Sequence, residues 1–345
     1  MPHATNTLQQ LEKTLLPIAL LDLGEKFYDF RKIDKNDLYK RCLISNEQIS
    51  RREGTINGWQ FRELFRCCKD IAMPGTPLSV QLADFIPITI PGGMFGLASF
   101  TAKTVRQALE VMIDFSDTVM PAYRFAMHDV QQHCHIVMEP LVDFDDIQHQ
   151  LDESVCGYLL NLRHFANLPE PAVRIHLTHD PMGELEDYEN KFNAKFLFSQ
   201  KTIEVVFDKH HLSQALYTHN QATFEQVYTN LKTSTSLSSH ATYSAKVSKV
   251  LRQRLTRMQP MNISQTAEEL NISERTLARR LHQEGVSFAE LKQQVSIEYS
   301  KYLLNATELP VCKVALASGY SSDSNFARAF KHATGLTPKQ FRSSK

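Results

Sequence analysis

Two stretches near the C-terminal end of this chain follow one plan, and that plan leaves few folds open. The first runs from a tight turn at Asn271-Ile272 through Ser273 to Gln283, the second from Gly319 through Ser322 to Thr334. A serine at a helix start offers its hydroxyl to backbone N–H groups of the first turn that have no partner within the helix. Apolar residues four apart follow each serine: Leu277 and Leu281, then Phe326 and Phe330, with Ala329 and Ala333 extending the second stripe. That spacing puts them on one helical face. Gly319 supplies the backbone freedom for its turn. Short helical segments over residues 264–270 and 311–318 precede the two stretches, so each reads as a helix–turn–helix unit. An amphipathic helix over 245–258 comes before them, and a longer one from about 287 to 305, stopped by Pro310, joins them.

The outward faces carry Arg275, Thr276, Arg279 and His282 in the first unit. In the second they carry Ser324, Arg328 and Lys331, with Asn325 and His332 beside them and Ser322 at the cap. A helix of this size fits the DNA major groove, where Arg can fork onto guanine and Asn onto adenine. The plainer alternative is a pair of helical hairpins with solvated faces, and charge argues against it. The 345 residues carry 38 Lys+Arg and 38 Asp+Glu, yet residues 243–345 hold 16 basic and 8 acidic side chains and the remainder 22 and 30. A basic module on an acidic body points to a polyanionic partner, double-stranded DNA, for the tail alone.

The sign of the charge changes at a Ser/Thr-rich stretch, residues 232–240, which reads as a linker. The expected organisation is therefore a domain over 1–231, a linker over 232–242 and a DNA-binding domain over 243–345. Before the linker, the first eighty residues read mainly as helices. Strand-like runs are expected at 85–90 and 94–100 around a Pro91-Gly92-Gly93 turn, then at 124–128 and 133–138 around Asp129. Thr104 and Gln107 have the spacing of a capping box for a helix reaching Met112, in which each side chain satisfies the other's backbone N–H. A long helix is expected near 145–166, a strand at 173–178, a short helix at 184–192, and strands at 195–198 and 202–207. The predicted fold class is an α+β domain able to enclose a small molecule, followed by an all-α domain with two helix–turn–helix units.

The last hundred residues resemble the DNA-binding domain of the arabinose-regulator (AraC/XylS) family of bacterial transcription factors. "ISQTAEELNISERTLARRLHQEGVSF" is similar to the family's first helix–turn–helix and "VALASGYSSDSNFARAFKHATGLTPKQFR" to its second. The resemblance implies that residues 273–283 and 323–333 are recognition helices. It departs from the family pattern where Ser296, rather than Arg, follows Val295. A weaker resemblance over residues 73–216, in "FGLASFTAKTVRQAL", "VRIHLTHD" and "YENKFNAKFLFSQKTIEVVF", extends to the effector-binding domain of one branch of the family. It implies a small organic effector, self-association as a homodimer, RNA polymerase as a partner and a cytoplasmic regulator, without naming effector contacts.

Other features suggest less. The early apolar stretch 15–21 is short and soon meets Asp22 and Glu25, so neither a signal peptide nor a membrane span is expected. His133 and His135 share a strand face, but no third ligand appears at a telling spacing, so neither a metal nor a cofactor is expected. Cys67-Cys68 lacks the Cys-x-x-Cys geometry of a redox couple. No Gly-Lys-Ser/Thr follows Pro91–Gly96, so that segment is not a phosphate cradle. DNA-repair methyltransferases also carry such helix–turn–helix units, but neither an acceptor-cysteine setting nor a four-cysteine zinc cluster is visible here. Catalysis is accordingly not expected. An architectural DNA-binding protein would leave the first two-thirds of the chain without a role. A fatty or aromatic acid is the effector class suggested by the 20 phenylalanines.

Overall fold

The computed structural model describes residues 9–51, 54–85, 94–160, 166, 168, 173–238, 242–256 and 259–344. It divides into two compact units, Met1–Leu237 and Ser238–Lys345. The first is a mixed α/β unit and the second is helical among its described residues, the class expected from the sequence.

The first unit begins with a two-stranded antiparallel pair, β1 (Leu15–Pro17) and β2 (Thr55–Asn57). Between these strands lie helices α1 (Leu21–Phe30), α2 (Lys35–Arg41) and α3 (Asn46–Arg51), and after them α4 (Gly58–Ile71) and α5 (Leu78–Leu82). Helix α4 is opened by a complete capping box, in which Asn57 and Gln60 each satisfy the other's backbone N–H. Next come α6 (Met94–Thr101), α7 (Val105–Asp114) and α8 (Ser116–Val119). The stretch from Met94, expected as a strand, is helical, with Phe95, Ala98, Ser99 and Phe100 buried. A short apolar run serves a buried helix as well as a buried strand, and the choice here follows its packing beside α7. Residues 86–93, including the expected Pro-Gly-Gly turn and most of the preceding strand, lie outside the described residues. The Thr104–Gln107 box is half formed. Thr104 caps Gln107 N at 3.3 Å, but Gln107 Oε1 accepts from Lys103 N at 2.6 Å rather than from Thr104.

The main sheet has the order β3 (Tyr123–Val130), β4 (His133–Pro140), β7 (Ile203–Asp208), β5 (Val173–His176), β6 (Lys195–Leu197), antiparallel except for the β5–β6 pair. Five of the six residues of β7 are buried, which suits a central strand covered on both faces. Of the helix expected over 145–166, Gln148–Leu159 forms helix α9, a 3-10 turn at Asp145–Ile147 precedes it, and residues 161–165 lie outside the described set. That turn is tied to α4: Arg62 pairs with Asp145, and Arg66 Nε donates to Asp146 at 2.8 Å. Helix α10 (Leu185–Phe192) ends at Asn193 in a left-handed conformation, φ 46°. At Gly157 on α9 a Cβ would meet a Phe192 ring carbon at 2.4 Å, so only glycine lets these helices approach.

Helix α11 (Gln221–Ser238) runs through residues 232–238, the first part of the expected linker. Asn220 caps its start by accepting from Thr223 N at 2.9 Å, and once a helix is nucleated each added residue costs little, so the Ser/Thr composition did not end it. Residues 239–241 lie outside the described set.

The second unit holds α12 (Tyr243–Thr256), α13 (Ile263–Glu269), α14 (Glu274–Gln283), α15 (Phe288–Ala306), α16 (Val311–Ala317), α17 (Asp323–Thr334) and α18 (Pro338–Ser343). Val247, Leu251 and Leu255 of α12 are buried in it, as are Val295 and Leu303 of α15. Arg254 is buried too, and its guanidinium is fully engaged with Pro260 O at 2.8 Å, Gln265 and Glu269. Helix α18 was not anticipated, although Thr337-Pro338-Lys339-Gln340 carries its signal: a capping box with proline at the start. It places Phe341 edge-on against Phe330, centroids 5.3 Å apart.

Candidate nucleic-acid interface and effector cavity

Each pair α13–α14 and α16–α17 is a helix–turn–helix with the same turn chemistry. Ile272 N closes on Ala267 O and Tyr320 N on Ala315 O, both at 3.0 Å. The residues before them, Asn271 (φ 54°) and Gly319 (φ 82°), take the left-handed conformation that this closure requires. At Gly319 a Cβ would meet the flexible end of Met261 at 2.8 Å, which can give way, so it is the left-handed backbone that favours glycine there.

Ser273 caps α14 through Thr276 N at 3.2 Å, and Ser322 caps α17 through Asn325 N at 3.3 Å. Leu277 and Leu281 are buried under α14, and Phe326 and Phe330 under α17. These four anchors fix which side of each helix faces out. Arg275, Arg279 and His282 are exposed and Thr276 is half-buried; Ser324, Asn325, Arg328 and Lys331 are exposed and Ser322 is half-buried. Ala333 is exposed rather than part of the inward stripe, and Ala329 is half-buried. The stripe narrows because the two phenylalanine rings, 5.5 Å apart, fill the space under the helix. Arg328 Nη2 donates to Asn325 Oδ1 at 2.7 Å, which orients the guanidinium along the outward face.

A cavity of about 110 Å³ lies within the first unit. Its walls come from seven α-helices and one strand, among them Leu21 of α1, Phe61 and Phe65 of α4, Met112 of α7, Phe125 of β3 and Tyr158 of α9. None of the described lining residues carries a charge. A second void of about 150 Å³ shares Leu20, Phe95 and Val119 with the first and reaches Leu231 of α11. Sequence reading assigned no effector contacts. The walls come from segments far apart in the chain, so no local spacing could have announced them.

Helix α9 also carries two buried carboxyls. Burial pushes Glu153 up to about 7, against the hydrogen bonds it accepts from Ser79 Oγ (2.6 Å) and Tyr188 Oη (2.9 Å). Burial likewise pushes Asp152 up to about 6, against bonds from Tyr123 Oη (2.6 Å) and Gln148 Nε2 (2.8 Å). A carboxyl that holds its proton more tightly when folded supports the fold at low pH, and that support fades as pH rises through the folded value. The first unit is therefore expected to lose stability between about pH 5 and 8, and Glu153→Gln to flatten that slope. Denaturant unfolding over a pH series checks this: the variant should gain on the wild type at pH 8 and not at pH 4.

Elsewhere on the sheet Glu204 of β7 accepts from His135 at 3.0 Å and His176 at 2.8 Å. Burial would raise this carboxyl, but the two imidazoles hold it well below the usual range. His135 is thus committed to Glu204, whereas His133 turns to Asp208 at 3.2 Å. The structure brings Asp208, His210 and His211 within metal-ligand reach of one another. Arg174, 3.4 Å from the same Asp208 oxygen as His133, already supplies positive charge there.

Residues 33–216 match the family described as the arabinose-binding domain of AraC transcription regulators, and residues 266–344 match a helix-turn-helix domain family. The chain is 25% identical over 345 residues, 99% of each protein, to the ornithine utilization regulator of Pseudomonas aeruginosa. It is 26% identical over 229 residues to an HTH-type transcriptional regulator of Staphylococcus aureus (strain MRSA252), covering 64% of this chain and 26% of that longer protein. Among solved structures, that of transcriptional regulator CdpR from Pseudomonas aeruginosa overlays with a TM-score of 0.41 at 22% identity, over 83% of this chain and 97% of that one. No helix among the described residues is long and apolar enough to cross a membrane. With an effector domain and a helix–turn–helix domain matched in succession along the sequence, the chain belongs to the AraC family of transcription regulators, which are not enzymes.

Proposed function

We propose that the protein is a ligand-responsive activator that grips promoter DNA with both recognition helices, α14 and α17. The observation that carries this reading is the pair of capped helices, each anchored by two buried apolar residues and each presenting an exposed arginine, Arg279 or Arg328. Arg275, Thr276, His282, Ser322, Ser324, Asn325 and Lys331 complete the two DNA-facing surfaces. The effector is a largely apolar organic molecule taken up by the first unit. It acts by binding the DNA-competent arrangement better than the incompetent one, since only differential affinity shifts a population. The family likeness supports a homodimer working in the cytoplasm on RNA polymerase, with 1–231 as effector and dimerisation domain and 243–345 as DNA-binding domain.

Titrations of operator DNA with the full chain and with residues 238–345 test the division of labour. The C-terminal piece should bind the operator alone, because α15 holds its two units at high effective concentration for one another. It should bind a paired site more weakly than the full chain and ignore the effector. A piece that still responds to the effector, or an N-terminal piece that binds operator unaided, would refute the assignment.

A further inference from the structure

We propose that the 110 Å³ cavity is the effector site, and that it takes an uncharged, largely apolar molecule, either a single aromatic ring or a short aliphatic chain. This rests on the ligand-responsive reading above and narrows it to one place and one chemical class.

Size is the first ground. An apolar void of about 150 Å³ takes up benzene in a well-packed protein, so about 110 Å³ suits one small ring or a short chain. The polar inventory of the wall is the second. Tyr28 Oη donates to Leu64 O at 2.9 Å and lies 3.3 Å from Cys68 Sγ. Ser116 Oγ donates to Ile113 O at 2.8 Å, and Ser154 Oγ to Gln150 O at 2.7 Å. The Tyr158 hydroxyl has no partner, but it has almost no accessible surface, so a molecule in the cavity does not reach it. The described wall thus offers a ligand no free polar group, and a polar group buried there without a partner is costly. The third ground is charge. A carboxylate or ammonium placed here would find no opposite charge on the described walls, and an unpaired buried ion is far more costly than a neutral group. This restricts the fatty and aromatic acids expected from composition to their neutral relatives. It also separates the site from amino acids of the ornithine type.

The same geometry offers a route for the response. Leu20, Phe95 and Val119 stand between this cavity and the second void, whose far wall is Leu231. Leu231 sits on α11, whose last residue, Ser238, begins the second unit. A ligand that displaces Val119 or Phe95 therefore bears on the helix through which the two units are joined in sequence.

Isothermal titration of the full chain with 4-methylphenol, toluene, benzoate and L-ornithine tests the proposal. The expected result is one site for 4-methylphenol and for toluene, with no heat from benzoate or ornithine at the same concentrations. Toluene should bind about 5- to 10-fold more tightly than 4-methylphenol, whose hydroxyl finds no partner on the wall. Val155→Trp, which fills the cavity, should abolish both. Tighter binding of benzoate or ornithine than of 4-methylphenol would overturn the proposal. So would tighter binding of 4-methylphenol than of toluene, or no binding of either neutral probe to the wild type. Operator titration of the same preparations separates this from the broader reading. A chain that binds operator but no neutral probe refutes the cavity assignment alone, and a chain that binds no DNA refutes the regulator reading.

Discussion

Replacing Arg279 or Arg328 with alanine is expected to weaken operator binding by about 1–3 kcal/mol each, the discrimination a bidentate arginine–base pair provides. Both side chains are exposed and neither anchors its helix, so the fold should be untouched. Loss should fall on specific binding, with affinity for random DNA nearly unchanged. Lys331→Ala provides the contrast. As a phosphate contact it should lower affinity for all sequences alike and reduce the steepness of the salt dependence by about one ion. Competition titrations of operator against random duplex at two salt concentrations distinguish these outcomes. If the double Arg variant keeps the wild-type operator preference, the outward faces of α14 and α17 are not the reading surfaces.

The largest loss of stability is expected from Phe330→Ala, with Phe326→Ala close behind. Both rings are fully buried, and together with Tyr320 and Phe341 they form the aromatic centre of the second helix–turn–helix. Truncating a buried phenylalanine costs about 3–5 kcal/mol through lost transfer energy and the void left behind. A domain of this size has a total stability of about 5–15 kcal/mol. One substitution should therefore lower the unfolding midpoint of residues 238–345 by more than about 10 °C, and the two together should leave it largely unfolded at 37 °C. Differential scanning calorimetry measures this directly. A midpoint within about 2 °C of wild type for Phe330→Ala would contradict the packing described here. Ala333→Ser, on the exposed side of the same helix, should change little.

The contrast between Phe330 and Ala333 shows how far the sequence could be read. Spacing by four placed both on one stripe, but only the packed structure shows that the phenylalanines already fill the space. The C-terminal unit was otherwise plain from local signals. Ser273 and Ser322 cap where expected, Asn271 and Gly319 turn where expected, and α17 has its expected ends. These signals act within a few residues of chain, so they survive in the linear sequence. The same logic would have found α18 from Thr337 and Gln340.

The first unit yielded less because its decisive contacts are long-range. The alternation in β3 and β4 was visible, but the pairing of β4 with the much later β7 was not. Met94–Thr101 is helical because of what surrounds it, not because its apolar run excludes a strand. Glu204 looks like an ordinary polar residue in a strand until β4 and β5 bring His135 and His176 to it. By itself, then, the sequence determined the two helix–turn–helix units and the faces they turn outward, since caps, turns and helical period are local. Only the tertiary structure decided the cavity and its uncharged described wall, because burial is a property of many distant segments packed together.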